Sequence, residues 1–214
     1  MTAASGVTKD RLKGLYAITD ERLIAEEDFS EAIEAALMGG ASIIQYRDKS
    51  DNQHKRLQQA RSLRELCTRY GATCIINDDI ELAKAVAADG VHLGQDDAEL
   101  AHARQSLGET AIIGISCYND IELALTAETN SADYVAFGTM FSSPTKPDAV
   151  TAGPDIISQA KKQLSIPVCA IGGITTENIH QLVQHRADMA AVISCLFAAE
   201  DIKRRADILS QHFS

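Results

Sequence analysis

FSEAIEAALMGGASIIQYRDKSDNQHKRLQQARSLRELCTRYGATCIIN, residues Phe29–Asn77, decides the fold. Phe29, Ile33 and Leu37 recur every fourth residue, the spacing of one helix face, until Gly39-Gly40 ends the run. Asp28 with Glu31 reads as a capping box at its start. Ala41–Arg47 is short and apolar over most of its length, as a strand covered on both faces should be. Leu57, Ala60, Leu63 and Leu66 form a second helical stripe that closes near Gly71, and Ala72–Asn77 is again strand-like. Helix, strand, helix, strand is the grammar of a parallel sheet with helices packed on it.

The same alternation extends in both directions. Gly14–Thr19 precedes the stretch, and Gly90–Gly94, Ala111–Ser116, Tyr134–Thr139, Pro167–Gly172 and Met189–Ser194 follow it, making eight strand-like runs. Asn119 with Glu122 caps a further helix, and Ile179, Leu182 and Val183 form another stripe after Thr175-Thr176. Eight units in 214 residues average about 27 residues each, compact but sufficient for a (β/α)8 TIM barrel of the α/β class. A doubly wound open sheet would place a glycine-rich turn after its first strand, whereas here that strand ends in Thr19-Asp20. No Pro- or Ser-rich linker divides the chain, so residues 1–214 read as one barrel domain with 1–12 as an N-terminal extension. Ala88-Asp89, Ala132-Asp133 and Ala187-Asp188 each precede a strand, an echo that speaks of junction chemistry.

Composition narrows the function. With 20 Lys plus Arg against 30 Asp plus Glu, the formal charge is −10, the wrong sign for a general binder of nucleic acid or anionic membrane. No apolar run approaches a membrane span, and MTAASGVTKD has no secretory pattern, so a cytoplasmic location is expected. Cys67, Cys74, Cys117, Cys169 and Cys195 are widely spaced without a CxxC, and read as reduced, buried side chains.

A parallel barrel carries its chemistry at the C-terminal ends of its strands. Gln45, Arg47 and Lys49 are two apart and would share a strand face in the mouth, with Ile44 and Tyr46 facing the helices. They read either as an anion site or as a solvated strand end paired with Asp48 or Asp51. Asn77-Asp78-Asp79 and Gln95-Asp96-Asp97 end adjacent strands. Their acids suit helix capping, through Asp79 and Asp96, and a hard cation such as Mg²⁺, through Asp78 and Asp97. His92 points inward as a hydrogen-bonded core histidine. Ser116 has no base beside it in sequence and reads as a ligand contact. Ser142-Ser143-Pro144-Thr145-Lys146-Pro147 is a loop stiffened by prolines, equally a binding segment or a polar turn. Gly172-Gly173 and Ile193-Ser194, after the seventh and eighth strands, suit phosphate.

The ordered set Tyr16-Ala17-Ile18-Thr19-Asp20, Gln45-x-Arg47-x-Lys49, Asn77-Asp78, His92-x-Gly94-Gln95-x-Asp97, Gly114-x-Ser116, Thr145-Lys146, Ile171-Gly172-Gly173-Ile174 and Ile193-Ser194 resembles the thiamine-phosphate synthase family over nearly the whole chain. The resemblance implies a (β/α)8 transferase that joins a hydroxymethylpyrimidine diphosphate to a thiazole phosphate, giving thiamine phosphate and pyrophosphate. It implies that Gln45 contacts the pyrimidine and that Arg47, Lys49, Asn77 and Lys146 hold the diphosphate, with Ser116 facing it. Asp78 and Asp97 would bind Mg²⁺. Ser143, Thr145, Gly173, Ile193 and Ser194 would hold the thiazole phosphate. Tyr46, Asp48 and Pro144, lying inside these runs, complete the substrate-binding set. Arg47, Lys49, Ser116 and Lys146 would act in catalysis. The family usually has Pro-Thr where this chain has Ser142-Ser143, and an aliphatic residue where it has Tyr46.

Two anionic substrates cannot be gathered by an acidic protein at long range, so local cations and Mg²⁺ must do it. Charge neutralisation on the departing pyrophosphate then leads to a dissociative displacement, with attack by the thiazole nitrogen and no strong general base. The expected partners are these small molecules, with no nucleic acid or membrane and with room for a homo-oligomer. Rival readings are a thiazole-phosphate tautomerase using His92, a non-catalytic binder of thiamine phosphate, and more remotely a Schiff-base aldolase on Lys49 or Lys146.

Overall fold

A computed structural model describes residues 11–94, 97–142 and 151–213, without the side chains of Asp97 and Ala98. Eight parallel strands close into a barrel in chain order. They are β1 (Gly14–Ile18), β2 (Ala41–Tyr46), β3 (Thr73–Asn77), β4 (Gly90–Leu93), β5 (Ile112–Tyr118), β6 (Tyr134–Phe137), β7 (Val168–Ile171) and β8 (Met189–Val192). The helices around them are α1 (Phe29–Met38), α2 (Gln53–Tyr70), α3 (Ile80–Ala85), α4 (Asp97–Leu107), α5 (Ile121–Thr129), α6 (Asp155–Gln163), α7 (Ile179–Gln184), α8 (Ser194–Phe197) and α9 (Ile202–Ser210). Among the described residues no helix is long and apolar enough to cross a membrane.

Strand alternation sends two sets of side chains to two cores. Leu15, Ala17, Ile44, Tyr46, Val91, Ile113 and Val135 pack outward beneath the helices. Tyr16, Ile18, Ile43, Ile75, Ile112, Tyr134, Cys169 and Met189 fill the barrel itself. Leu12 belongs to this inner set and is 1% exposed, so the end of the apparent N-terminal extension plugs the barrel floor. Cys67, Cys74, Cys117 and Cys169 are buried and Cys195 half-buried, all as free thiols.

Most strands stop one or two residues earlier than their apolar runs suggest. β5 instead runs two residues past Ser116, with a register shift against β6 between Ser116 and Tyr118. The capping expectations need two corrections. Asp28 is already in helical conformation and makes no side-chain cap, since a preceding turn takes the first N–H groups, Asp28 N onto Ala25 O and Phe29 N onto Glu26 O. The helix after β5 is capped by Asp120, whose Oδ1 accepts from Glu122 N at 2.9 Å, rather than by Asn119.

The recurring Ala-Asp pair has a structural meaning. Asp89, Asp133 and Asp188 stand before β4, β6 and β8. Each carboxylate accepts a backbone N–H from the start of the preceding strand, from Cys74 at 2.8 Å, Ile113 at 2.8 Å and Val168 at 2.7 Å respectively. Each also pairs with a cation on the helix before that strand: Arg64 on α2 at 2.6 Å, Arg104 on α4 at 2.7 Å and Lys161 on α6 at 2.7 Å. The latch therefore repeats at every second strand. Before β2 the equivalent place is Gly39-Gly40, where α9 packs so closely that a side chain on Gly39 would overlap the Lys203 carbonyl. Asp133→Ala leaves Ile113 N–H and the largely buried Arg104 without their shared acceptor, and is expected to cost about 2–3 kcal/mol. Thermal melting should show a fall of roughly 5–10 °C. An unchanged melting temperature would show that the latch is ornamental.

Candidate active site

The rim is organised from β1 and β2 outward. The Thr19 hydroxyl donates to Arg47 O at 3.0 Å and accepts from Arg47 N at 2.8 Å, tying the end of β1 to the residue after β2. Asp20 Oδ2 lies 3.9 Å from Arg47 Nη1 and 2.6 Å from Arg22 Nη2. The hydrogen-bonded Arg22 side chain holds the Asp20 carboxyl below its ordinary range, with Arg47 adding to the effect.

The Gln45–Lys49 run alternates as read, although β2 itself ends at Tyr46. Gln45 is 2% exposed inside the barrel, Arg47 is half-buried at the rim and Lys49 is exposed. Tyr46 and Asp48 are not brought to the mouth. Tyr46 points the other way, packing edge-on against Phe29 with ring centroids 5.8 Å apart and donating to Gln59 Oε1 at 3.1 Å. Asp48, 8% exposed, accepts from Ser50 N at 2.7 Å and pairs with Lys55 Nζ at 2.7 Å. Burial works to raise the Asp48 carboxyl, but Lys55 and Ser50 outweigh it and hold it below the usual range. These two residues build the loop that presents Arg47 and Lys49, because the pleat turns every second side chain to the helix layer.

Lys49 reaches across to β3, its Nζ 2.8 Å from Asp78 Oδ2. The same oxygen accepts from Asn77 Nδ2 at 2.7 Å. Asp78 sits in the left-handed region at φ 61° with its side chain 53% exposed, so its carboxylate opens onto the mouth. Asp79 is committed to structure: Oδ1 caps α3 through Leu82 N at 2.8 Å, and Oδ2 pairs with Arg56 at 2.6 Å. The backbone of Asp97 opens α4 after the adjacent strand β4. Exposed carboxylate and amide oxygens are the donor set a hard divalent cation prefers, so Asp78 and Asn77 fit Mg²⁺. Among the described residues no cluster of three His, Cys, Asp or Glu forms a complete metal site.

Gly172 and Gly173 turn off β7 at φ 100° and 66°. The turn is packed as well as left-handed, since a side chain on Gly173 would overlap the Phe141 carbonyl. Ile193 and Ser194 leave the neighbouring strand β8 and open α8, so Gly173, Ile193 and Ser194 share one arc of the rim. Ser143, Pro144, Thr145 and Lys146 lie outside the described residues.

Beneath the rim, two buried tyrosines join Gln45, His92 and Ser116. Gln45 Nε2 donates to the Tyr16 hydroxyl at 2.7 Å, and the Tyr16 and Tyr134 hydroxyls are 2.8 Å apart. His92 Nδ1 is 2.9 Å from the Tyr134 hydroxyl and His92 Nε2 is 2.9 Å from Ser116 Oγ. The His92 ring stacks on Tyr134 with centroids 5.5 Å apart. Gly114 makes this possible, because a Cβ there would overlap the Tyr134 ring. Burial raises both phenols well above their ordinary range and pushes His92 down to about 4, so near neutral pH all three are uncharged. Only Gly114 and the inward parity of Tyr16 and Tyr134 hinted at the pair in the sequence.

A closed parallel barrel with Arg47, Lys49 and the exposed carboxylate of Asp78 at its C-terminal rim defines the class: a (β/α)8-barrel protein with charged side chains gathered at the strand ends. The profile described as thiamine monophosphate synthase matches residues 15–196. The thiamine-phosphate synthase of Nitrosococcus oceani is 50% identical over 202 residues, 94% of this chain and 93% of the relative. That of Thioalkalivibrio sulfidiphilus is 50% identical over 206 residues, 96% of this chain and 98% of the relative. Among solved structures, thiamine phosphate pyrophosphorylase from Pyrococcus furiosus superposes with a TM-score of 0.86 at 35% identity, covering 97% of each chain. The chain belongs to the thiamine monophosphate synthase family.

Proposed function

We propose that this enzyme joins a hydroxymethyl-aminopyrimidine diphosphate to a thiazole phosphate, releasing pyrophosphate and forming thiamine phosphate. Family membership supports the overall reaction. The observation that carries the assignment of the site is the meeting of Lys49 and Asp78 across adjacent strands, beside Arg47 and Asn77.

Arg47 and Lys49 supply the local positive charge that receives the diphosphate, with Asn77 donating to it and Lys146 adding a third cation. The Thr19 and Asp20 contacts hold Arg47 in place before substrate arrives, which lowers the entropic cost of binding. Ser116 faces the pyrimidine diphosphate and Gln45 the pyrimidine. The arc of Gly173, Ile193 and Ser194, with Ser143 and Thr145, receives the thiazole phosphate. Mg²⁺ would be held by Asp78 and Asp97, and when bound it supplies positive charge against the negative charge growing on the leaving pyrophosphate. The attacking thiazole nitrogen needs no deprotonation, so the site can work without an exposed general base. His92 fits no such role, since both its ring nitrogens already face hydroxyls. That occupancy also weighs against a tautomerase. Both substrates are phosphate esters too charged to cross a bilayer, so the enzyme is expected to share the compartment in which they are made, the cytoplasm.

A pyrophosphate-release assay tests the reading. Release is expected only when both substrates and Mg²⁺ are present. Metal-independent proton exchange on the thiazole phosphate alone, without pyrophosphate, would overturn it.

A further inference from the structure

The four hydrogen bonds beneath the rim form one continuous wire from Gln45 on β2 to Ser116 on β5, through Tyr16, Tyr134 and His92. Each internal member of the wire has one proton to give and one lone pair to offer along it: two phenols and a neutral imidazole. Directions are therefore not independent. If Gln45 Nε2 donates to Tyr16, then Tyr16 donates to Tyr134, Tyr134 donates to His92 Nδ1, and His92 Nε2–H donates to Ser116 Oγ. Gln45 then turns its amide oxygen, an acceptor, to the mouth, and Ser116 keeps its hydroxyl proton for a ligand. Turning the Gln45 amide over reverses every bond. Gln45 then shows donors to the mouth and Ser116 has only lone pairs left.

We propose that Tyr16, Tyr134 and His92 are positioning residues that couple the hydrogen-bonding polarity of Gln45 to that of Ser116, and so set the preference for an aminopyrimidine over its oxo counterpart. This inference rests on the reading that Gln45 meets the pyrimidine and Ser116 its diphosphate arm. An exocyclic amine is a donor and suits the Gln45 oxygen, and in the same state Ser116 donates to the anion. A 4-oxo group is an acceptor and requires the amide turned over, which takes the Ser116 proton away from the diphosphate. The wrong base is thus penalised at both ends for one substitution. Either end of the Gln45 amide can bond the Tyr16 hydroxyl, so the wire is complete in both directions and the group a ligand presents chooses between them.

The test compares kcat/KM for the 4-amino and 4-oxo pyrimidine diphosphates in the wild-type enzyme and in Tyr134→Phe, which keeps the ring and cuts the wire. A site that reads a polar group by buried hydrogen bonds can discriminate by ~10⁴-fold, and Tyr134→Phe is expected to reduce the amino-to-oxo ratio at least ~10-fold. Tyr16→Phe cuts the neighbouring link and should move the ratio in the same direction, which keeps the test decisive if one variant fails to fold. Equal losses on both substrates, with the ratio unchanged in a folded variant, would reduce the tyrosines to packing and overturn the proposal. If the wild-type enzyme releases no pyrophosphate from the amino substrate, the reading of the pyrimidine site falls, and the wire's role falls with it.

Discussion

Asp78→Asn is expected to slow pyrophosphate release by about 10³-fold at moderate Mg²⁺, roughly 4 kcal/mol of barrier. Asparagine is the informative substitution because position 78 has φ 61°, a left-handed conformation that Asn adopts as readily as Asp. The turn after β3 therefore survives while the negative charge goes. Lys49, whose Nζ lies 2.8 Å from the carboxylate, keeps its own charge for the diphosphate. The loss should thus fall mainly on kcat, with KM for the pyrimidine diphosphate little changed, and higher Mg²⁺ should restore part of it. The melting temperature should barely move, since an ion pair with both side chains 53% exposed contributes at most about 1 kcal/mol. Steady-state rates across a Mg²⁺ series are the measurement. Near-wild-type kcat at every concentration would remove Asp78 from the cation site.

Gly114→Ala should produce a large stability loss for a single added methyl group. The new Cβ would overlap the Tyr134 ring, and that ring is enclosed by Tyr16, with centroids 6.1 Å away, and by stacked His92. Tyr134 cannot retreat without leaving its hydroxyl partners. Overpacking of this kind costs about 1–3 kcal/mol, and a displaced, unpaired phenol adds a further ~1 kcal/mol or more. Chemical denaturation should therefore show about 3 kcal/mol of lost stability, and substrate discrimination should weaken with it as the wire is pulled apart. Tyr134→Leu removes the ring, so adding it to Gly114→Ala should cost less than the two single losses combined. Strict additivity, or a Gly114→Ala protein as stable as wild type, would show that the barrel accommodates the methyl group elsewhere.

The interior polar wire explains why the site was only half legible in one dimension. Gln45, Arg47 and Lys49 announce themselves by spacing and charge, and Asp78 by its place at a strand end. Tyr16 and Tyr134 look like ordinary apolar filling, because a phenol in a strand has the same parity as any core residue. What sets them apart is that strands 118 residues apart bring their hydroxyls to 2.8 Å, and no local pattern encodes that meeting. Tyr46 and Asp48 show the opposite case. They lie between site residues in sequence and enter the substrate-binding set for that reason, but the pleat, which already turns Tyr46 to the helices by parity, puts both in the helix layer, where Gln59 and Lys55 hold them. The helix caps at Asp28 and Asn119 failed for a related reason. Several residues near each boundary can accept an N–H, and the incoming chain geometry chooses among them.

By itself the sequence determined the alternation of strands and helices, the closed parallel barrel, the net acidic charge, the Gln45-Arg47-Lys49 spacing at a strand end, and the three Ala-Asp junctions. Each follows from periodicity or from chemistry between near neighbours, where spacing along the chain equals spacing in space. Only the tertiary structure decided that Asp78 meets Lys49 across strands, that Asp89, Asp133 and Asp188 are latches, that Leu12 plugs the barrel floor, and that Gln45 and Ser116 are joined through three intervening side chains. Barrel closure brings distant strands within hydrogen-bonding reach, and a buried donor must then find whatever acceptor that closure supplies.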